Sequence, residues 1–193
     1  MEEETRMRSE RGERRLGSLL AEAAMVVFAV LVALAVDQWR EDREIASQVA
    51  RAQAGVEAEL RSNREELGTG SASVQAMFDT VSSMVGRMRR GEVVREGNLA
   101  GELPEFSDAA WETARVTGAV AHMPYEWILR TARVYDTQVL AREAHRQVLS
   151  SLGGVVARGL EMELLQDLQG ELFIALQVYA DLTTKYEAAL GGE

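Results

Sequence analysis

The sequence predicts an all-α protein: an N-terminal transmembrane helix that continues into a stalk, followed by an antiparallel helical bundle. Three observations carry this. Only two of the 193 residues are proline, and the 16 glycines fall mostly between periodic segments, a poor match to the turn-rich pattern of a β sandwich. Residues 16–36 form one long apolar run. Beyond that run, apolar residues recur at spacings of three, four and seven, as on one face of a helix.

At 21.3 kDa the chain is sized for one ordinary domain. Residues 1–15 hold five arginines (Arg6, Arg8, Arg11, Arg14, Arg15) and five glutamates, so this predicted cytoplasmic tail is neutral. Residues 37–193 carry 16 basic and 25 acidic groups. An acidic body is a poor match to a phosphate backbone, which argues against a nucleic-acid partner. The cysteine count is zero, which excludes disulfides, thiolate metal sites, iron–sulfur clusters and cysteine nucleophiles.

Leu16 to Val36 reads LGSLLAEAAMVVFAVLVALAV, with Gly17, Ser18 and Glu22 as its non-apolar members. As a helix it is about 31 Å long, close to a hydrocarbon core of about 30 Å. Its eleven Leu, Val and Phe residues favour insertion by roughly 3–6 kcal/mol, against a cost of about 2.5–3.5 kcal/mol for an acid at the bilayer centre. Asp37, Trp39 and Arg40 follow as interface residues. The alternatives are a buried core helix and a cleaved signal peptide, with Ala33-Leu34-Ala35 imitating a cleavage site. An uncleaved anchor fits the longer run and the mixing of the arginines with glutamates. Five arginines before the run and three within 20 residues after it (Arg40, Arg43, Arg51) place the N-terminus in the cytoplasm. Glu22, an ionisable group inside the span, is a candidate contact to a neighbouring membrane helix; the plainer reading has it reaching headgroup water or protonated.

An acidic residue, an aliphatic run and then Asp37-Gln38-Trp39-Arg40-Glu41 resemble the anchor of a family of uncharacterised bacterial single-pass inner-membrane proteins, which ends in Asp/Asn-x-Trp. The stretch AWETARVTGAVAHMPYEWILRTARVYD, about residues 109–135, is similar to that group's body. The resemblance implies an inner-membrane location, a periplasmic or extracellular helical body, and no known activity.

Within residues 37–193 five helices are expected, at about 37–67, 71–90, 107–122, 124–152 and 155–190. Ile45, Val49, Ala52, Val56, Leu60 and Leu67 form the first stripe, read as bundle-facing, with a short dimeric coiled coil as the alternative. Gly68-Thr69-Gly70 is expected to break the chain there, with Ser71 or Ser73 capping the next helix. That helix has Val74, Met77, Phe78, Val81, Met84, Val85 and Met88 on one face. Arg87, Arg89 and Arg90 suit its last turn and Gly91 its C′ position. Residues 92–106 are expected to form the longest loop. Ser107 and Asp108 are read as a helix start, with Trp111, Ala114, Gly118 and Ala121 on one face. Met123-Pro124 starts the next helix, with Ile128, Ala132, Tyr135 and Val139 on one face. Gly153-Gly154 is expected to end it. The last helix has the strongest stripe: Leu160, Leu164, Leu168, Leu172, Leu176, Tyr179, Leu182, Tyr186 and Leu190.

No catalytic, cofactor or metal site is expected. His122 and His145 lack a second histidine at i+4 and a Glu three positions before. No nucleophile elbow, phosphate loop or dinucleotide fingerprint is present. Trp111, Trp127 and Tyr135 are read first as core and second as the aromatics of a ligand pocket. The expected function is therefore non-enzymatic: a membrane-anchored interaction or scaffold module, with self-association or a partner membrane protein besides the lipid bilayer. The alternative is a small-ligand sensory domain. The 15-residue tail offers it no output module, so it would signal through a partner.

Overall fold

The computed structural model describes residues 2–95 and 97–191, with side chains from Met25 onward apart from residue 26. Among the described residues every regular element is helical: α1 (Glu2–Arg89), α2 (Ala109–Val116), a 3-10 turn (Ala119–His122), α3 (Tyr125–Arg158) and α4 (Met162–Leu190). The chain divides into two units, Met1–Gln48 and Val49–Glu193.

In the first unit, every described side chain from residue 27 to residue 44 is exposed. The exposed apolar residues include Val27, Phe28, Val30, Leu31, Val32, Leu34 and Val36, which with the exposed Ala29 and Ala33 go all round the helix at 100° per residue. Gln38 donates to Asp42 at 2.9 Å. Among the described residues no helix is long and apolar enough to cross a membrane. The side chains of residues 16–24, Glu22 among them, lie outside the described residues.

In the second unit, one apolar core runs through α1, α3 and α4. Its sequence stripes are largely those expected. Val56, Leu60, Leu67, Val74, Val81, Leu168, Leu172, Leu182 and Tyr186 are at most 1% exposed. The rings of Phe78 and Phe173 lie 6.4 Å apart and Gln169 donates to Ser82, so α1 and α4 run in opposite directions. Contacts of Thr137 with Lys185, Gln138 with Tyr186 and His145 with Tyr179 make α3 and α4 antiparallel as well. It follows that α1 and α3 run the same way, so the bundle is not antiparallel throughout.

Parallel neighbours need a return connection, and residues 97–108 run within it as an extended strap laid along α1. A Cβ on Gly97 would meet Met84, one on Gly101 would meet Met77, and one on Gly70 would meet Pro104 at 2.5 Å. Glu102 N–H donates to Ser73 Oγ. From Gly97 to Ser107 an extended chain covers roughly 33 Å, and α1 from Met84 back to Asn63 covers about 31 Å. The two lengths match, so the strap has no slack.

Four expected boundaries are corrected. Helices expected at 37–67 and 71–90 are one, because Gly68-Thr69-Gly70 does not break α1. Two glycines cost about 1 kcal/mol each against alanine, but no proline intervenes, and Gly70 is the position where Pro104 comes closest. The helix expected at 107–122 splits at Gly118, whose φ of 76° is left-handed. The helix expected at 124–152 continues through Gly153-Gly154 to Arg158, since Val155 is buried in the core. It stops at Gly159, with φ 97°, so α4 starts at Met162 and not at 155. On α3, Val139 points outward at 56% exposure. The inward face carries Thr131, Thr137 and Gln138 instead, two of which are hydrogen-bonded there: Gln138 to the Tyr186 hydroxyl and Thr137 to the Arg133 carbonyl.

The end of α1 matches its expectation. Glu92 N–H donates to Arg87 O and Gly91 N–H to Met88 O, the paired bonds of a Schellman cap with Gly91 at φ 80°. The Arg90 and Arg87 side chains both donate to the exposed Glu92 carboxylate and hold its carboxyl below the usual range.

Candidate functional site

The richest side-chain constellation is where the strap meets α1 and α3. Glu59 lies on α1 and one side of its carboxylate faces the start of α2. Its Oε2 accepts from Ser107 Oγ at 2.7 Å and Ala110 N–H at 2.9 Å. Its Oε1 accepts from the Tyr135 hydroxyl at 2.6 Å and, more loosely, from Trp111 N–H at 3.4 Å. The first N–H groups of a helix have no partner within it, and their partial positive charge favours an anion. Asp108, next to the helix start, makes no side-chain cap bond. The cap therefore comes from 51 residues upstream.

Asn63, one turn further along α1 and nearly buried, grips the strap twice. Its Nδ2 donates to Ser107 O at 2.7 Å and its Oδ1 accepts from Ser107 N–H at 2.9 Å. From the other side Arg142 of α3 donates to Phe106 O at 3.1 Å and pairs with Asp108 at 2.9 Å. Residues 106–111 are thus held from both helices, largely through backbone atoms.

Trp111, Trp127 and Tyr135 are brought together. Trp111 stacks on Tyr135 with ring centroids 5.4 Å apart and 7° between planes, and Trp127 lies tilted 6.4 Å from Trp111. Burial and the adjacent Glu59 carboxylate push the Tyr135 hydroxyl far above its ordinary pKa. It is a fixed donor and not a titrating group. The ring faces pack on one another, as core aromatics do. A cavity of about 410 Å³ is lined by Ser62, Asn63, Glu66, Glu105, Phe106 and Ser107. A second, of about 290 Å³, lies between α1 and α2 along Ala52, Gly55, Ala110 and Ala114. Neither includes the three aromatic residues.

A second junction holds His145. Its Nε2 lies 2.6 Å from the Tyr179 hydroxyl, and its ring stacks on Phe106 of the strap at 5.9 Å. Burial, then the Arg142 charge, holds the imidazole below its ordinary pKa. Among the described residues no group of three or more His, Asp or Glu side chains is placed to hold a metal ion.

The expected interface residues lie in the first unit. Asp37, Trp39 and Arg40 are exposed, Trp39 at 54%. The cation over the Trp39 ring is Arg43, 4.2 Å from its centroid, and not the adjacent Arg40. Residues four apart share a helix face and residues one apart do not. Sequence reasoning also missed Glu59, Asn63 and Arg142. The available signal was weak: an acid and an amide at i and i+4 on the edge of an otherwise apolar stripe. Compared with known proteins, the chain matches no family model, no curated protein and no solved structure.

Proposed function

We propose that the protein is a membrane-anchored helical interaction module: residues 16–36 span the inner membrane once, the N-terminus is cytoplasmic, and residues 49–193 form the working body on the far side. The observation that carries this reading is the exposed apolar surface around the whole circumference of residues 27–36. Such a helix needs an apolar environment on every side, which a bilayer supplies. The Trp39–Arg43 pair suits the headgroup boundary, where an amphipathic ring and a cation both gain. The arginine asymmetry and the resemblance of the anchor point the same way.

The body serves binding and not chemistry. Its strongest polar cluster, around Glu59, is spent on holding backbone, the Ser107 hydroxyl and a tyrosine hydroxyl, so the Glu59 carboxylate is a structural acceptor and not a base held ready for a substrate proton. The reading is tested by alkaline carbonate extraction of the expressed full chain. It is expected in the membrane pellet, and the double variant Phe28→Asp, Leu31→Asp in the supernatant. Release of the unaltered chain by carbonate contradicts the anchor.

A further inference from the structure

The strap is held to the bundle by a junction that contains an imidazole. Arg142 grips the strap at Phe106 O and Asp108. His145, one turn further along α3, stacks on the Phe106 ring and meets the Tyr179 hydroxyl of α4. Tyr179 is 1% exposed, so its hydroxyl proton needs an acceptor inside the protein. A neutral His145 with its proton on Nδ1 offers Nε2 as that acceptor. The groups around the ring are Arg142 on α3, the Tyr179 hydroxyl on α4, and Phe106 with the Arg142-bound Asp108 on the strap. Among the described residues no carboxylate pairs with His145, and Arg142 is the charge that acts on it.

We propose that His145 makes the strap an acid-sensitive latch: when the imidazole takes up a proton, the Arg142 grip on Phe106 and Asp108 opens and residues 97–108 leave α1. Two changes drive it. The protonated Nε2 becomes a donor, so the buried Tyr179 hydroxyl proton loses its acceptor. The new charge also stands one helical turn from Arg142, and like charges on a helix at that spacing repel. Stacking of a cationic ring on Phe106 offsets this in part. The strap yields before the helices, because its backbone is tied by few side chains (Ser73, Asn63, Glu59 and Arg142) beside the packing of Val94, Leu99, Leu103 and Phe106 on the core. Its departure uncovers the Met77 and Met84 side chains, which now pack on Gly101 and Gly97, and so opens an apolar groove on α1.

The folded state holds the imidazole less basic than the unfolded chain does, so the closed strap is fully favoured above about pH 6.5 and weakens as pH falls through the lower folded value. The test is amide hydrogen exchange on the full chain in detergent at about pH 7.5 and about pH 5, corrected for the intrinsic rate. The lower limit keeps most carboxylates ionised. The Glu102 and Ser107 amides, bonded to Ser73 and Asn63, are expected to lose protection at the lower pH. The loss is roughly tenfold for each unit by which the folded imidazole lies below its free value. Amides of residues 168–182 in α4 keep theirs. His145→Gln, neutral at both pH values and still able to accept from Tyr179, is expected to show equal strap protection at both. Should that variant not fold, the imidazole titration of the unaltered chain, followed by NMR, must share its midpoint with the strap amides. Strap protection that is independent of pH, an acid loss that persists in His145→Gln, separate midpoints, or α4 opening together with the strap overturns the proposal.

Discussion

The Tyr135 hydroxyl on α3 donates to the Glu59 carboxylate on α1 at 2.6 Å, across 76 residues of chain. The same carboxylate caps α2, so one side chain ties three helices and the strap into a single junction. A hydrogen bond to a charged acceptor contributes about 1.5–3 kcal/mol when its loss leaves the partner unsatisfied. Tyr135→Phe is therefore expected to lower unfolding free energy by roughly that amount, and Glu59→Ala by more, since Ser107, Ala110 and the Tyr135 hydroxyl lose their acceptor together. A double-mutant cycle in urea should give a coupling of at least about 0.5 kcal/mol. Additive effects would show the bond to be energetically idle.

Two glycines two residues apart on α1 should respond to alanine with opposite signs. A Cβ at Gly68 meets nothing within 4 Å, so Gly68→Ala is expected to stabilise the protein by up to about 1 kcal/mol through helix propensity. A Cβ at Gly70 would sit 2.5–2.7 Å from Pro104 atoms, which a rigid ring cannot accommodate without moving the strap. Gly70→Ala should therefore destabilise, despite the same gain in propensity. Melting temperatures of the two variants read the difference directly.

These glycines also mark what was legible in the sequence. The stripes of α1 and α4 could be read because burial follows a 3.6-residue period, and the end of α1 because Arg87, Arg90 and Gly91 serve local groups. Gly68-Thr69-Gly70 and Gly153-Gly154 read as breaks because propensity is local, whereas the packing that carries the helix through them is not. The path of the strap was hidden, since nothing near residues 92–106 says that Gly97 and Gly101 meet Met84 and Met77. Glu59 looked like one more surface charge. Its role exists only once residues 107–111 and 135 arrive beside it.

The core stripe of α4 separates sharply from its outer face. Leu168 is fully buried and Ile174 is half exposed. Leu168→Ala is expected to cost about 2–5 kcal/mol, and Ile174→Ala less than about 0.5 kcal/mol, by denaturant unfolding. Similar losses at both sites would mean that the outer face of α4 is covered by something in solution.

The proposed single membrane span, with the helical body outside the cytoplasm, is open to one direct test. The chain has no cysteine, so one introduced thiol reports its own location. Ser150 is exposed on α3 and Ser9 lies in the arginine-rich tail. Each is replaced by Cys in turn, and intact cells of a Gram-negative host are treated with a maleimide that crosses the outer membrane but not the inner one. The expected result is labelling of Ser150→Cys in intact cells and of Ser9→Cys only after the inner membrane is opened. Protection of Ser150→Cys until the inner membrane is opened would place the helical body in the cytoplasm and overturn the proposed topology.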